Sequence, residues 1–133
     1  MKFRDEYWFL SNMFPCEIIM KINDTTYKFK CVEAAFQAHK DLNRISDFIN
    51  LNGFQAKNLG KRVNLRKDWN EVRVEIMRSI LKVKFSNQTL LKMLKNITVD
   101  IVEDNSHGDK YWGKVNGEGL NMTGKLLMEI REK

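Results

Sequence analysis

Apolar residues recur at helical spacing over most of this chain and alternate with polar ones in only a few short stretches. From Glu17 to Lys30 the alternation predicts a β-hairpin, with Ile18, Met20 and Ile22 in one arm, Tyr27 and Phe29 in the other, and Asn23-Asp24 at the tip. Ile97, Val99 and Ile101 alternate again and predict a strand. Between these, Val32 to Lys40 reads as a helix. Val32, Ala35 and Phe36 form its apolar side, while Glu33, Gln37 and Lys40 fall near another common face. Shorter helices are expected over Ile45 to Leu51, ending near Gly53, and over Gln55 to Leu59, ending at Gly60. The longest helix should run from Asp68, as N-cap, to Phe85, with Trp69, Val72, Ile76, Ile80 and Val83 as its stripe. Asn87 caps a short helix carrying Leu90, Leu91 and Leu94, and Gly124 to Arg131 closes the chain with Leu127 and Ile130 buried. The expected fold is mainly α (α+β): a single compact helical domain over residues 1–133 with a small antiparallel β element.

Composition narrows the class. A chain of 133 residues with 43% hydrophobic content can bury a core without staples. No apolar run approaches the roughly 18 residues a membrane span needs. Met1 to Glu6 is rich in charge and lacks the apolar centre of a signal peptide. Cys16 and Cys31 have no CxxC or CxxH spacing, so a reduced pair and a cytoplasmic location are expected, with no zinc site. The net charge of +6 is uneven: Lys57 to Lys95 holds eleven Lys or Arg against Asp68, Glu71 and Glu75. That bias suits a phosphate-bearing partner, nucleotide or nucleic acid, although most such residues on helices simply face solvent.

The candidate chemistry concentrates in Glu103 to Gly113 and in Gly117 to Gly124, which read as loop. Loops spend residues on backbone geometry and ligands rather than on core. Neither a P-loop nor a dinucleotide fingerprint is present, and His39 and His107 are too few for a metal cluster. What remains is Glu33, Glu103 and Asp109 with Lys40, Trp112 and Asn121. Cleaving a C–N glycosidic bond needs this inventory. Positive charge builds on the anomeric carbon and a carboxylate stabilises it, while acid and base groups move protons and an aromatic plane holds a ring. Each piece has a plainer reading. Glu33 can be a surface residue, Lys40 a helix-end cation, Trp69 and Phe85 core, and Trp112 a core plug.

The residues form an ordered set. Phe9-Leu10-Ser11-Asn12, Glu33-x-x-Phe36-Gln37-Ala38-x-Lys40, Arg66-x-Asp68-Trp69, Met77, Lys84-Phe85, Glu103, Asp109-x-x-Trp112-Gly113, Gly119-x-Asn121-x-x-Gly124 and Leu127-Met128-x-x-Arg131 follow one another along the chain. Together they resemble the YbiA-like, or NADAR, family. The resemblance implies an N-glycosidase acting on ribosyl compounds, either ribosylaminopyrimidine phosphates of the riboflavin pathway or ADP-ribose attached to guanine in nucleic acid; no cofactor is expected. It places Glu33 and Asp109 as acid/base or oxocarbenium-stabilising carboxylates, and Lys40 as a Schiff-base amine or a substrate-binding cation. Trp112, beside Gly113, would stack on a ring. Asn121 would bond sugar hydroxyls, Ser11 and Asn12 would line the mouth, and Arg66, Arg73 and Lys84 would contact phosphate. Met13 and His107 depart from the family pattern, which usually carries aromatics there.

Two other classes compete with this reading. A non-catalytic nucleotide or nucleic-acid module would use the basic Lys57–Lys95 segment and Trp112 for binding alone. An interaction domain would present the loop to a protein partner.

Overall fold

The hairpin forms where the alternation places it. In the computed structural model, which describes residues 1–133, β1 (Ile18–Ile22) pairs antiparallel with β2 (Thr25–Phe29), Ile18 opposite Phe29 and Ile22 opposite Thr25. Asn23 and Asp24 make the turn with φ of 49° and 66°. Two left-handed residues in a row give the tight turn whose twist matches the strands, and Asn and Asp tolerate that region best. The rest is helical: α1 (Val32–Ala38), α2 (Gly53–Gly60), α3 (Trp69–Lys84), α4 (Gln88–Lys95) and α5 (Met122–Arg131), with 3₁₀ turns at Asp5–Leu10 and Leu42–Phe48. The fold is therefore mainly α with one small antiparallel sheet. No helix is long and apolar enough to cross a membrane.

The residues group into two compact units, Asn12–Lys84 and Met1–Ser11 with Phe85–Lys133. In the first, every residue of α1 is buried, and the helix packs against α2, α3, the Leu42–Phe48 turn and β2. Cys31 caps it, its sulfur accepting from the Ala34 amide at 3.5 Å. Asp41 shapes the next turn: its two carboxylate oxygens accept from the Asn43 and Asn64 amides, each at 3.1 Å. That turn is 3₁₀ and lies over 42–48 rather than the expected helix over 45–51, because Asp41 starts it earlier than the apolar pattern suggests. Asn52 and Gln55 form a reciprocal capping box on α2.

Two expectations for α3 change. Its buried face is Trp69, Met77, Ile80, Leu81 and Lys84, while Val72, Ile76 and Val83 are only half-buried. Counting apolar residues alone misses this rotation, since a lysine occupies the last buried position. Asp68 precedes the helix and its carbonyl accepts from Glu71 and Val72, but its carboxylate is taken by Arg66 at 2.6 and 3.1 Å.

In the second unit α4 packs on α5, and Asn87 caps α4 as expected, accepting from the Leu90 amide at 3.0 Å. The strand expected at Ile97–Ile101 is absent. The segment bends at Val99 and has no partner strand, and side chains meet its backbone groups instead. Arg131 donates to the carbonyls of Ile97 (2.9 Å) and Val99 (2.6 Å), Asn121 donates to that of Ile101 (2.9 Å), and Met128 sulfur accepts from the Ile101 amide at 3.4 Å. Alternation marks one buried face, not a ladder. Ile101 is buried and Val99 exposed.

Candidate functional site

In the unit Asn12–Lys84 the candidate chemistry gathers on α1. Glu33, in its first turn, is buried although charged. Its amide donates to the carbonyl of Asn12 (2.9 Å), and its carboxylate accepts from Gln37 Nε2 at 2.9 Å, one turn along. Lys40 follows two turns from Glu33, just beyond the helix. Burial pushes the Lys40 amine below its ordinary range, the charge of Glu33 opposes that fall, and Lys57 adds to it. The lysine also lies over the indole of Trp69, which packs on Phe36 with ring centres 5.0 Å apart. Trp69 was legible only as core. It is core, and one face of it also serves Lys40.

The basic candidates differ in what already holds them. Arg66 forms a two-pronged pair with Asp68 and reaches the carbonyl of His39 at 3.3 Å, so a phosphate would compete with Asp68. That guanidinium holds the Asp68 carboxyl below the usual range. Arg73 lies half-buried on α3. Lys84 is sealed at 2% exposure with its amine 5.5 Å from the Phe14 ring centre, where no bulk phosphate reaches it. His39 is buried, its Nδ1 2.7 Å from the carbonyl of Ala35, and burial drives its basicity down. The two thiols are free, and burial raises both. A cleft of about 640 Å³ beside the hairpin, walled by Pro15, Cys16, Tyr27, Phe29 and Ile49, contains none of the residues singled out from the sequence as carrying chemistry.

In the other unit, Asp109 Oδ1 accepts from the amides of Tyr111 (3.1 Å) and Trp112 (2.9 Å), which fixes the turn that carries both rings. Tyr111 meets Trp112 edge to face, centres 5.0 Å apart. Asn105 grips Asp109 from behind, accepting from its amide at 3.0 Å and donating to its carbonyl at 2.8 Å. Gly113 is required by close approach: a Cβ there would stand 2.3 Å from the carbonyl oxygen of Glu103. Asn121 is buried, in a left-handed conformation (φ 54°), accepting from the Glu103 amide at 3.0 Å and donating to Ile101. Its amide group therefore holds the frame of the loop. Ser11 lines a polar cleft of about 230 Å³ with Arg4, Glu103, Asn105 and His107.

The NADAR domain model matches residues 1–133. The chain belongs to the NADAR domain family. The NMR structure of the Escherichia coli protein YbiA superposes with a TM-score of 0.81 at 31% identity, covering 99% of this chain and 80% of that one. A riboflavin biosynthesis protein of Vibrio vulnificus is 32% identical over 97% of this NADAR chain, and the match takes up 36% of that protein. The N-glycosidase YbiA of Shigella flexneri is 39% identical over 52% of this chain and 44% of its own length. The chain thus spans well under two thirds of the curated relatives it matches.

Proposed function

We propose that this protein is an N-glycosidase that hydrolyses the bond between ribose C1′ and nitrogen in a phosphorylated ribosyl substrate. The observation that carries the reading is a buried carboxylate, Glu33, whose charge acts on a lysine amine just beyond the same helix that burial holds below its ordinary range. Lowered basicity favours proton transfer or attack on carbon, and a purely structural ion pair has no need of it.

In the hydrolytic route the C1′–N bond breaks and water adds to C1′. Glu33 stabilises the positive charge on the sugar or takes the proton of water, and the departing nitrogen gains a proton. In the Schiff-base route the ribose ring opens and the Lys40 amine adds to C1′. The nitrogen base leaves with a proton, and water then hydrolyses the iminium to release the phosphorylated ribose (ribose phosphate or ADP-ribose) and regenerate the amine. Trp112, within its own unit, has its backbone set by Asp109 Oδ1. Arg73, and Arg66 in exchange with Asp68, are the phosphate contacts of this reading. Lys84 is left out because it is sealed, and Asn121 acts by positioning. The relatives named for riboflavin biosynthesis support the ribosylaminopyrimidine phosphate as first substrate. The basic Lys57–Lys95 segment supports ADP-ribosylated guanine as the other.

The deciding experiment incubates the protein with a ribosylaminopyrimidine phosphate and, separately, with an oligonucleotide carrying ADP-ribosyl guanine, and follows products by mass spectrometry. Release of ribose phosphate or of ADP-ribose identifies the substrate. Saturable, salt-sensitive binding with no product from either would establish a binding module instead.

A further inference from the structure

We propose that Gln37 is a positioning residue for Glu33, its side-chain amide holding the carboxylate by Oε1 in a seat that Gly60 keeps open. The proposal rests on the reading of Glu33 as the reacting carboxylate and adds a residue that this reading does not need.

Gln37 lies one turn after Glu33 on α1, 5% exposed, and donates from Nε2 to Glu33 Oε1 at 2.9 Å. An ionised carboxylate only accepts, so the amide nitrogen must face it, and the amide oxygen points the other way. That oxygen is buried and has no hydrogen-bond partner. Leucine or methionine would fill the same space without sealing a lone acceptor away from water. Packing alone therefore gives no reason for an amide here; what Nε2 does for Glu33 gives one.

A second element is shaped around the same group. Gly60 ends α2, and a Cβ on it would lie 1.9 Å from Gln37 Oε1 and 2.8 Å from its Cδ. Any larger residue would drive the amide out of its seat. A hydrogen bond donated to a carboxylate favours the anion and fixes its rotamer. Lys40 and Cys31 both feel the Glu33 charge, so the amide that holds Glu33 also sets the field on the Lys40 amine.

The test uses Gln37→Leu, Gln37→Glu and Gly60→Ala, each checked for folding by circular dichroism and thermal unfolding. Gln37→Leu should lower kcat roughly 10- to 100-fold with little change in KM, the scale of a lost hydrogen bond to a charged group. Gly60→Ala should lose as much, and the double variant should lose no more than either single one. Gln37→Glu restores the donor only when its new carboxyl is protonated, so its activity should climb as pH falls where the native protein's does not. Circular dichroism of Gln37→Glu over the same pH range separates this from a loss of folding caused by a buried anion, since only the lost donor lowers activity in a protein that stays folded. Native kcat in Gln37→Leu, or a native pH profile in Gln37→Glu, would overturn the proposal. If the native protein cleaves neither substrate, the proposed function fails separately. The link is then read by carbon-13 NMR of the Glu33 carboxyl. An upward move of its titration midpoint in Gln37→Leu supports the hold, and an unmoved midpoint overturns it.

Discussion

The amine of Lys40 stands 5.7 Å from the centre of the Trp69 indole. The ring face attracts the charged ammonium by about 0.5–2 kcal/mol, while loss of water around the amine favours the neutral form. Burial wins, and the amine falls below its ordinary 10.5. A rate profile that depends on free Lys40 amine should therefore rise with a midpoint below 10.5 and flatten earlier than for an exposed lysine. Lys40→Arg, which keeps the charge but cannot form a Schiff base, should lose at least about 100-fold in kcat if the lysine is the nucleophile. Borohydride in the presence of substrate should leave a mass adduct on the native protein and none on Lys40→Ala. An adduct surviving in that variant assigns the amine to another residue.

Glu33→Gln preserves shape and removes the charge. Activity should drop by roughly 100-fold or more, the range seen when a charge-stabilising group is lost. The protein should stay folded, since an amide replaces an anion buried at a helix start. Without Glu33, Lys40 also loses the group that opposes its fall in basicity, so its amine should titrate lower still in nitrogen-15 NMR. An unmoved Lys40 would mean that the two do not interact.

Asn121→Ala removes partners from two backbone groups, the buried carbonyl of Ile101 and the part-buried amide of Glu103. It also puts alanine at φ 54°, which costs about 1 kcal/mol in the left-handed region. Urea denaturation should show a loss of about 3 kcal/mol. Asn121→Gly, free of the backbone penalty, should lose less. Equal losses would assign the whole effect to the side-chain bonds.

His39 sets a pH limit on stability. Its basicity is lowered from 6.5 by burial, so the unfolded chain takes up a proton before the folded one does. Stability from this residue is intact above 6.5 and declines as pH falls through the window from 6.5 to the lower folded value. Thermal midpoints taken from pH 7.5 down to 5 should show that decline, and His39→Gln should flatten it. A variant with the native slope would place the acid sensitivity elsewhere.

Local chemistry made much of the fold legible in the sequence. The Asn23-Asp24 turn, the Asn87 cap and the order of the helices all follow from signals within a few residues of one another. Tertiary competition decided what was missed. The carboxylate of Asp68 had a near-perfect cap position but met Arg66 first. The 97–101 segment alternated like a strand, yet side chains of α5 and of Asn121 reached its backbone before any strand could. At the candidate site, the i, i+4, i+7 spacing placed Glu33, Gln37 and Lys40 near one face. It could not show that Glu33 and Gln37 are buried, or that a tryptophan read as core lies against the lysine. Lys84 exposes the same gap, because charge predicts a surface position and the side chain is sealed.

Arg131 and Met128 fasten residues that precede them by some thirty positions. On the ribosome the strip from Ile97 to Ile101 emerges well before the helix that anchors it, and its carbonyls must stay hydrated until then. Docking of α5 is thus a late event for that half of the chain, and losing its last turn would unfasten a stretch made long before it.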